Sequence, residues 1–190
     1  MRFFPTVLAA CALLACASQP ATVPTRAASP ERLFPMTLGS AWSYDVNTGD
    51  GEPVLAISRV VERTAAAATI QGGEGRTRYE LRPDGIFRSE WGGYLLRGPL
   101  QPGATWPAGG GRQARITRTG AAIVTPAGDF QGCVEVEESG APSGALIATI
   151  YCPDVGPVEV RSTLAMTTGT VVVSARLRGF QIGPAANAPH

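Results

Sequence analysis

Apolar and polar positions alternate in short runs along most of the chain, and this period of two is typical of half-buried β-strands. In one such run, Thr77, Tyr79 and Leu81 share a face, and charged residues occupy the other face. The turn sequence PDG follows at 83–85, and a second run then continues to residue 90. The pattern therefore predicts a β-hairpin over 76–90.

Similar runs recur about a dozen times between residues 33 and 182, and no convincing helical period separates them. The predicted strands are 41–46, 54–63, 66–71, 76–82, 86–90, 94–100, 112–119, 121–125, 133–138, 145–151, 158–163 and 170–178. Their connections are too short for helical crossovers, so mainly antiparallel pairing is expected. A single all-β domain of 10–12 such strands must curve strongly into a half-barrel or barrel, or divide into a sandwich.

An internal repeat marks two places in this domain. The segments 35–42 and 99–106 share the pattern P-[ML]-x-x-G-x-x-W without gaps. If the match is more than chance, Gly39 and Gly103 occupy tight turns that need a positive φ angle. Each following tryptophan then enters a strand and packs in the core. Two copies are too few for a solenoid.

The N-terminus has the features of a secretory signal. One charge at Arg2 precedes a short, mainly apolar stretch that is too short to span a bilayer stably as a helix. The sequence LLAC at 13–16 resembles the bacterial lipobox, which implies a signal peptide over 1–15 and lipidation of Cys16. An earlier match ends at Cys11 but leaves too few apolar residues before it. An ordinary signal peptide with an incidental cysteine is the alternative.

The residues after the lipobox predict an extended anchor segment. Three prolines and almost no apolar residues occur in 16–32, which is the composition of a tether. The tail 183–190 is expected to be flexible for the same reason. In bacterial lipoproteins, an Asp after the lipidated cysteine favours retention in the inner membrane. Ala17 and Ser18 stand there instead, which implies the outer membrane.

Composition removes several classes of chemistry. The formal charge is +1, so a strongly basic nucleic-acid-binding surface is not expected. All 16 basic residues are arginines, and the only histidine is His190 at the end of the chain. Schiff-base lysines, histidine-based catalytic sets and histidine metal sites are thereby excluded. We expect no enzyme activity, no metal and no cofactor.

Four cysteines fall into two groups. Cys11 and Cys16 belong to the signal, whereas Cys133 and Cys152 are the only cysteines of the β domain. An exported domain meets an oxidising compartment, so these two are predicted to form a disulfide. Their faces conflict, because Cys133 falls on the wetter face of its run and Cys152 shares parity with the apolar Ile150. A bulge, or a Cys152 beyond its strand end, would reconcile the pair.

Two clusters of charge are candidate sites. Glu135, Glu137 and Glu138 form the densest group of carboxylates, and a glycosidase would need two such groups across a cleft. Four arginines of the hairpin could gather on one face: Arg76, Arg78, Arg82 and Arg88. For both clusters we favour a solvated strand face, and the GGG sequence at 109–111 is interpreted as a flexible loop.

Three segments carry a resemblance. The segments are LFPMTLGSAWSYDV at 33–46, VTPAGDFQGCVEVEE at 124–138 and YCPDVGPVEV at 151–160. They are similar to motifs of a poorly characterised group of bacterial secreted proteins and lipoproteins, written FPLxxGxxWxY, PAGxFxxC and YxPxVGxV. The resemblance implies a curved antiparallel β fold at the cell envelope and assigns no catalytic residues.

These features favour a non-enzymatic lipoprotein, anchored in the outer membrane and facing the periplasm, with a structural or binding role. The alternative is a carrier or sensor of an apolar ligand such as a lipid, held in a half-barrel like that of lipoprotein carriers. Four aromatic residues are candidates for the lining of its cavity: Trp42, Phe87, Trp91 and Trp106. The expected partners are the membrane, through the lipid anchor, and an apolar ligand or another envelope protein.

Overall fold

The computed structural model describes residues 28–49, 51–140, 144–167 and 169–183. The predictions for the signal peptide, for Cys16, for most of the tether and for residues 184–190 lie outside them. One short helix, α1 (Pro30–Leu33), precedes the strands. The strands are β1 (Ala41–Asn47), β2 (Val54–Arg63), β3 (Ala67–Gly72), β4 (Gly75–Arg82), β5 (Gly85–Arg88), β6 (Gly93–Arg97), β7 (Thr105–Gly109), β8 (Arg112–Thr125), β9 (Gly128–Ser139), β10 (Leu146–Cys152), β11 (Gly156–Met166) and β12 (Gly169–Gln181).

The twelve strands form one antiparallel sheet that curls into a nearly closed barrel, which confirms the predicted fold class and decides against a sandwich. The strand order is β6-β5-β4-β3-β2-β1-β12-β11-β10-β9-β8-β7. Strands adjacent in sequence are therefore neighbours, and the pairing of β1 with β12 joins the two ends of the domain. Only β6 and β7 lack a ladder between them, so they form the seam of the barrel.

The seam is held by side chains and by a close approach of two backbones. The Trp106 indole on β7 donates a hydrogen bond to the Tyr94 carbonyl on β6, at 3.1 Å. A Cβ atom at Gly93 would lie 2.1 Å from the Ala108 carbonyl carbon, well inside van der Waals contact. Glycine at this position therefore allows β6 and β7 to meet.

The repeat marks the start of each half of the barrel. Gly39 and Gly103 have φ angles of 81° and 85°. Both glycines donate a backbone hydrogen bond to the neighbouring strand, and each following tryptophan is almost fully buried. The turn and core positions predicted for the repeat are confirmed. Strands β1–β6 and β7–β12 are thus two meanders that begin in the same way.

Some strand boundaries differ from the predicted ones. Strand β7 is absent from the predicted set, because its flanks are rich in glycine and proline. The predicted strands 112–119 and 121–125 are one continuous β8, in which Gly120 has a φ angle of 70° and the register with β9 shifts. A glycine that suggested a break between strands is instead part of an irregularity within one strand.

The packed part extends slightly beyond 33–182. Helix α1 begins within the predicted tether, where the Ser29 side chain caps it and Pro30 takes a first-turn position. Gly183 also packs at the other end, since its N–H donates to Ser40 Oγ at 3.0 Å. Among the residues that the structure describes, no helix has the length and apolar character needed to cross a membrane.

The structure contains the predicted disulfide between Cys133 and Cys152, with a Cα–Cα distance of 4.2 Å. Tyr151 pairs with Val134, so the two cysteines follow as the next opposed positions of β9 and β10. The expected conflict of faces arose from the wrong face of β10. The interior side carries Ile147, Thr149 and Tyr151, and Cys152 points the other way with Cys133, so no bulge is needed.

Candidate functional site

The barrel interior contains a cavity of about 310 Å³ that is partly open to solvent. Its volume lies near the lower end of the roughly 300–1,000 Å³ typical of small-molecule sites. Most of the lining is apolar or aromatic: Phe34, Trp42, Tyr44, Ile70, Tyr79, Leu95, Ile147, Tyr151, Pro157, Val160 and Ala175. The polar lining residues are Ser58, Arg88, Glu138 and Thr149. The cavity can therefore accept an apolar group and offers a few polar contacts.

The residue after α1 supplies one end of the cavity. Phe34 packs edge-on against Trp42, with 5.2 Å between ring centroids, and lies 6.3 Å from both Tyr79 and Tyr151. The helix is fixed to the β10–β11 turn, because the Asp154 N–H donates to the Arg32 carbonyl at 2.7 Å. We call Phe34 and Trp42 the aromatic floor, which therefore lies at the end of the barrel where β11 begins.

Two aromatic residues that line the cavity, Trp42 and Tyr44, form hydrogen bonds to backbone carbonyls of the barrel. The Trp42 indole N–H donates to the Val155 carbonyl at 2.6 Å, and the Tyr44 hydroxyl donates to the Pro157 carbonyl at 2.9 Å. Desolvation by burial raises the pKa values of the Tyr44, Tyr79 and Tyr151 hydroxyls, so all three stay neutral at ordinary pH. Their rings thus present a preorganised apolar surface.

A buried charge cluster forms the other end of the cavity. Arg88 at the end of β5 lies 2.9 Å from Glu138 on β9, and Arg112 at the start of β8 lies 3.4 Å from the same carboxylate. The three side chains are only 11%, 6% and 8% exposed. Arg88 also donates to the Ala108 carbonyl on β7, so it bridges the seam. We call Arg88, Arg112 and Glu138 the charge cluster.

The charge cluster lies at the opposite end of the barrel from α1. Strand β11 begins at the α1 end of the barrel, so the antiparallel strand β10 ends there. Strand β9 is antiparallel to β10 and therefore ends at the opposite end, where Glu138 lies. Both Phe34 and Glu138 line the cavity, which therefore extends from the aromatic floor to the charge cluster. Trp91 covers Arg112 from outside, with the guanidinium carbon 4.3 Å from the ring centroid.

Of the four aromatics predicted to line a cavity, only Trp42 lines this one. Phe87 lies opposite Glu80 on the outer face of the hairpin, and the Arg82 guanidinium covers its ring at 3.5 Å. Trp91 follows β5 and is 47% exposed. Trp106 is buried at the seam rather than in the cavity. These three residues do not line this cavity, and aromatic character alone does not show which face a residue occupies.

Sequence reasoning missed Arg88 and Glu138, which were assigned to solvated faces, although a signal for each was present. Glu138 has the same parity as the core residues Val134 and Val136. The tight turn of the hairpin pairs Arg88 with Tyr79, and directly opposed residues share a face. Hairpin register therefore places Arg88 inside with Tyr79, away from the other three arginines.

In the part of the chain covered by the structure, no cluster of three or more His, Cys, Asp or Glu side chains could hold a metal ion. The charge cluster itself pairs a carboxylate with two guanidinium groups, which is a binding arrangement for anions rather than for cations. The site can therefore hold and orient a ligand through apolar contact and charge.

No protein-family model matches the chain, and a search of curated proteins found no significant match. The motif resemblance therefore stays a prediction. One similar solved structure is "a putative exported protein with YmcC-like fold" from Bacteroides fragilis, with a TM-score of 0.45 and 12% identity over 76% of this chain and 96% of that one. Another is "a putative lipoprotein" from Parabacteroides distasonis, with a TM-score of 0.38 and 14% identity over 78% of this chain and 98% of that one. Both TM-scores lie below 0.5.

Proposed function

We propose that this protein is a lipid-anchored, non-enzymatic protein of the bacterial cell envelope whose barrel binds the apolar part of a small ligand. The observation that carries the proposal is the partly open cavity of about 310 Å³ with a mainly apolar lining. Well-packed interiors contain few voids larger than a water molecule. A cavity of this size, with rings fixed in place around it, is the arrangement of a binding site.

The envelope location is supported by the sequence of the N-terminus. The short apolar signal, the LLAC sequence ending at Cys16 and the proline-containing segment behind it form a consistent order of signal, anchor and tether. Ala17 and Ser18 favour the outer membrane, facing the periplasm. A domain on such a tether can reach ligands at the membrane surface and in the space beside it.

A binding role is favoured over catalysis by the state of the groups that line the cavity. The carboxylate of Glu138 is engaged by two guanidinium groups. The raised pKa values of Tyr44, Tyr79 and Tyr151 keep these phenols protonated. A general base or an activated nucleophile would need a group that is free to give or take a proton.

Titration with decanol, followed by tryptophan fluorescence, tests the proposal. Decanol is expected to bind at one site per protein and to change the emission of Trp42. Ala175→Leu places a larger side chain in the cavity and should weaken decanol binding at least tenfold. Ser174→Leu, at the neighbouring position of β12 on the opposite face, is the matched control and should bind decanol normally. Equal binding by both variants, or no binding by the wild type, would contradict an interior site.

A further inference from the structure

We infer that the ligand carries an anionic head group, a carboxylate or a phosphate, which Arg88 binds at the cavity with Arg112 behind it, while the chain of the ligand extends toward the aromatic floor. This inference rests on the proposed function and names the chemistry of its ligand. The charge cluster and the apolar lining are two ends of one cavity, because Arg88, Glu138 and Phe34 all line it. An amphiphile with an anionic head matches both ends at once.

The charge balance of the cluster favours an added anion. Two guanidinium groups face one carboxylate, so the cluster carries a net charge of +1. All three side chains are nearly buried, where an uncompensated charge is unfavourable. The next carboxylate along the hairpin, Glu90, is exposed to solvent and cannot compensate for a buried charge as effectively. A bound anion would bring the cluster to neutrality.

The guanidinium nitrogens of the charge cluster that lack an acceptor also favour a bound anion. Three buried guanidinium nitrogens have no hydrogen-bond acceptor among the described residues: Arg88 Nε, Arg112 Nε and Arg112 Nη2. Arg112 lies within 3.4 Å of Glu138, but the contact lacks hydrogen-bond geometry. Buried donors are almost always paired, because an unmade bond there is costly. Of the two arginines, Arg88 lines the cavity, and a carboxylate or phosphate oxygen is the acceptor that matches its guanidinium fork.

The arginines are held for this role by groups outside the cavity. The Trp91 ring covers Arg112, and the Ala108 carbonyl accepts from Arg88 at 2.8 Å. Each guanidinium is thereby restrained before a ligand arrives, which lowers the entropy lost on binding. Glu138 contacts both guanidinium groups, with Arg88 across the seam from it and Arg112 on the neighbouring strand, and is the anionic member of the cluster. Glu138 would therefore position the arginines and also reduce their attraction for a ligand anion.

Three probes with the same ten-carbon chain test the inference: decanoate, decanol and decyltrimethylammonium. The full-length protein is titrated with each probe by isothermal calorimetry. Decanoate is expected to bind at least tenfold more tightly than decanol, because charge-assisted hydrogen bonds exceed the apolar contribution that both probes share. The cation should bind more weakly than decanol. Decyl phosphate is a fourth probe, and the tighter binder of decyl phosphate and decanoate identifies the kind of anionic head.

Two substitutions with opposite expected effects separate ligand binding from a purely structural role. Arg88→Gln should reduce decanoate affinity about tenfold and leave decanol affinity nearly unchanged. Glu138→Gln keeps the shape of the side chain but removes the competing negative charge, so it should tighten decanoate binding. Loss of fold would weaken binding of both probes in both variants, and melting temperatures check for it. Arg97→Gln, at a half-exposed arginine away from the cavity, is the matched control.

Each outcome of these titrations decides a different point. Equal binding of decanoate and decanol would overturn the inference while leaving an apolar site in place. Absence of binding by all probes would overturn both the inference and the proposed function. A decanoate affinity that is lost in both Arg88→Gln and Glu138→Gln, with unchanged decanol binding, would show that the cluster acts as a unit and would contradict the opposing roles assigned to its members.

Discussion

Gly156 is the residue whose small size most directly shapes the floor of the cavity. Its φ angle is 112°, in a region that residues with side chains rarely adopt. A Cβ atom there would lie 2.9 Å from Trp42 Nε1 and 3.4 Å from the ring of Phe34. The backbone at 156 therefore has to be glycine for these two aromatic rings to keep their places.

The substitution Gly156→Ala is predicted to destabilise the protein by about 1–3 kcal/mol more than Gly128→Ala. Gly128 also has a positive φ angle, 133°, but a Cβ atom there would meet nothing within 4 Å. The control thus carries the backbone strain without the clash against Trp42. Urea unfolding measures both variants, and equal destabilisation would contradict the packing explanation.

Burial of tyrosines predicts how stability depends on alkaline pH. Desolvation raises the pKa of Tyr151 above its ordinary value of 10.0, so folding favours the protonated phenol. This contribution is fully present below pH 10 and is lost as the pH rises above it. The free energy of unfolding should therefore fall above pH 10, and Tyr151→Phe should show a weaker fall. Urea unfolding of the wild type and of Tyr151→Phe across that pH range measures both falls. Curves of unfolding free energy against pH that run parallel for the two proteins would contradict the prediction.

At the scale of single elements, β9 and β10 show why pattern predicts strands better than faces. The alternation located both strands, and the compartment predicted the pairing of Cys133 with Cys152. The interior face of β10 was assigned wrongly, because Ile147 and Ile150 are equally apolar and lie on opposite faces. The sequence of such a strand is compatible with either face turned inward, and the register with its partner strands decides which face it is.

Removing the disulfide tests what this link contributes. The double variant Cys133→Ala/Cys152→Ala opens a loop with a sequence separation of 19. Loss of the link should lower the free energy of unfolding by about 3 kcal/mol, mainly because the unfolded chain gains freedom. Urea unfolding of the oxidised wild type and of the double variant measures the difference. An unchanged stability would show that the pairing is incidental to the fold.

At the scale of the whole molecule, closure of the sheet creates the cavity. Local patterns predicted an all-β domain of about a dozen mainly antiparallel strands, although they missed β7 and divided β8 in two. Local patterns did not distinguish a barrel from a sandwich, because closure depends on the pairing of β1 with β12 and on the contact of β6 with β7. The inward positions of Arg88 and Glu138 follow from hairpin register and strand parity. The contact between Arg88 and Glu138 across the seam does not follow from local patterns, because it depends on closure of the barrel.

Lipid anchoring is a property of the whole chain and has its own test. Cys16→Ala should abolish labelling by a clickable palmitate analogue and move the protein from the membrane fraction to the soluble fraction. Cys11→Ala is the matched control and should leave both properties unchanged. Anchoring that persists in Cys16→Ala and disappears in Cys11→Ala would reassign the anchor to the earlier cysteine.

The most direct test of the interior binding site is a crystal structure of the protein grown with decanoate. Continuous density for one decanoate is expected inside the barrel. Its carboxylate should lie within hydrogen-bond distance of Arg88, and its chain should end against Phe34 and Trp42. An empty interior in crystals at a decanoate concentration that saturates binding in solution, or decanoate only on the outer surface of the barrel, would show that the barrel interior is not the binding site.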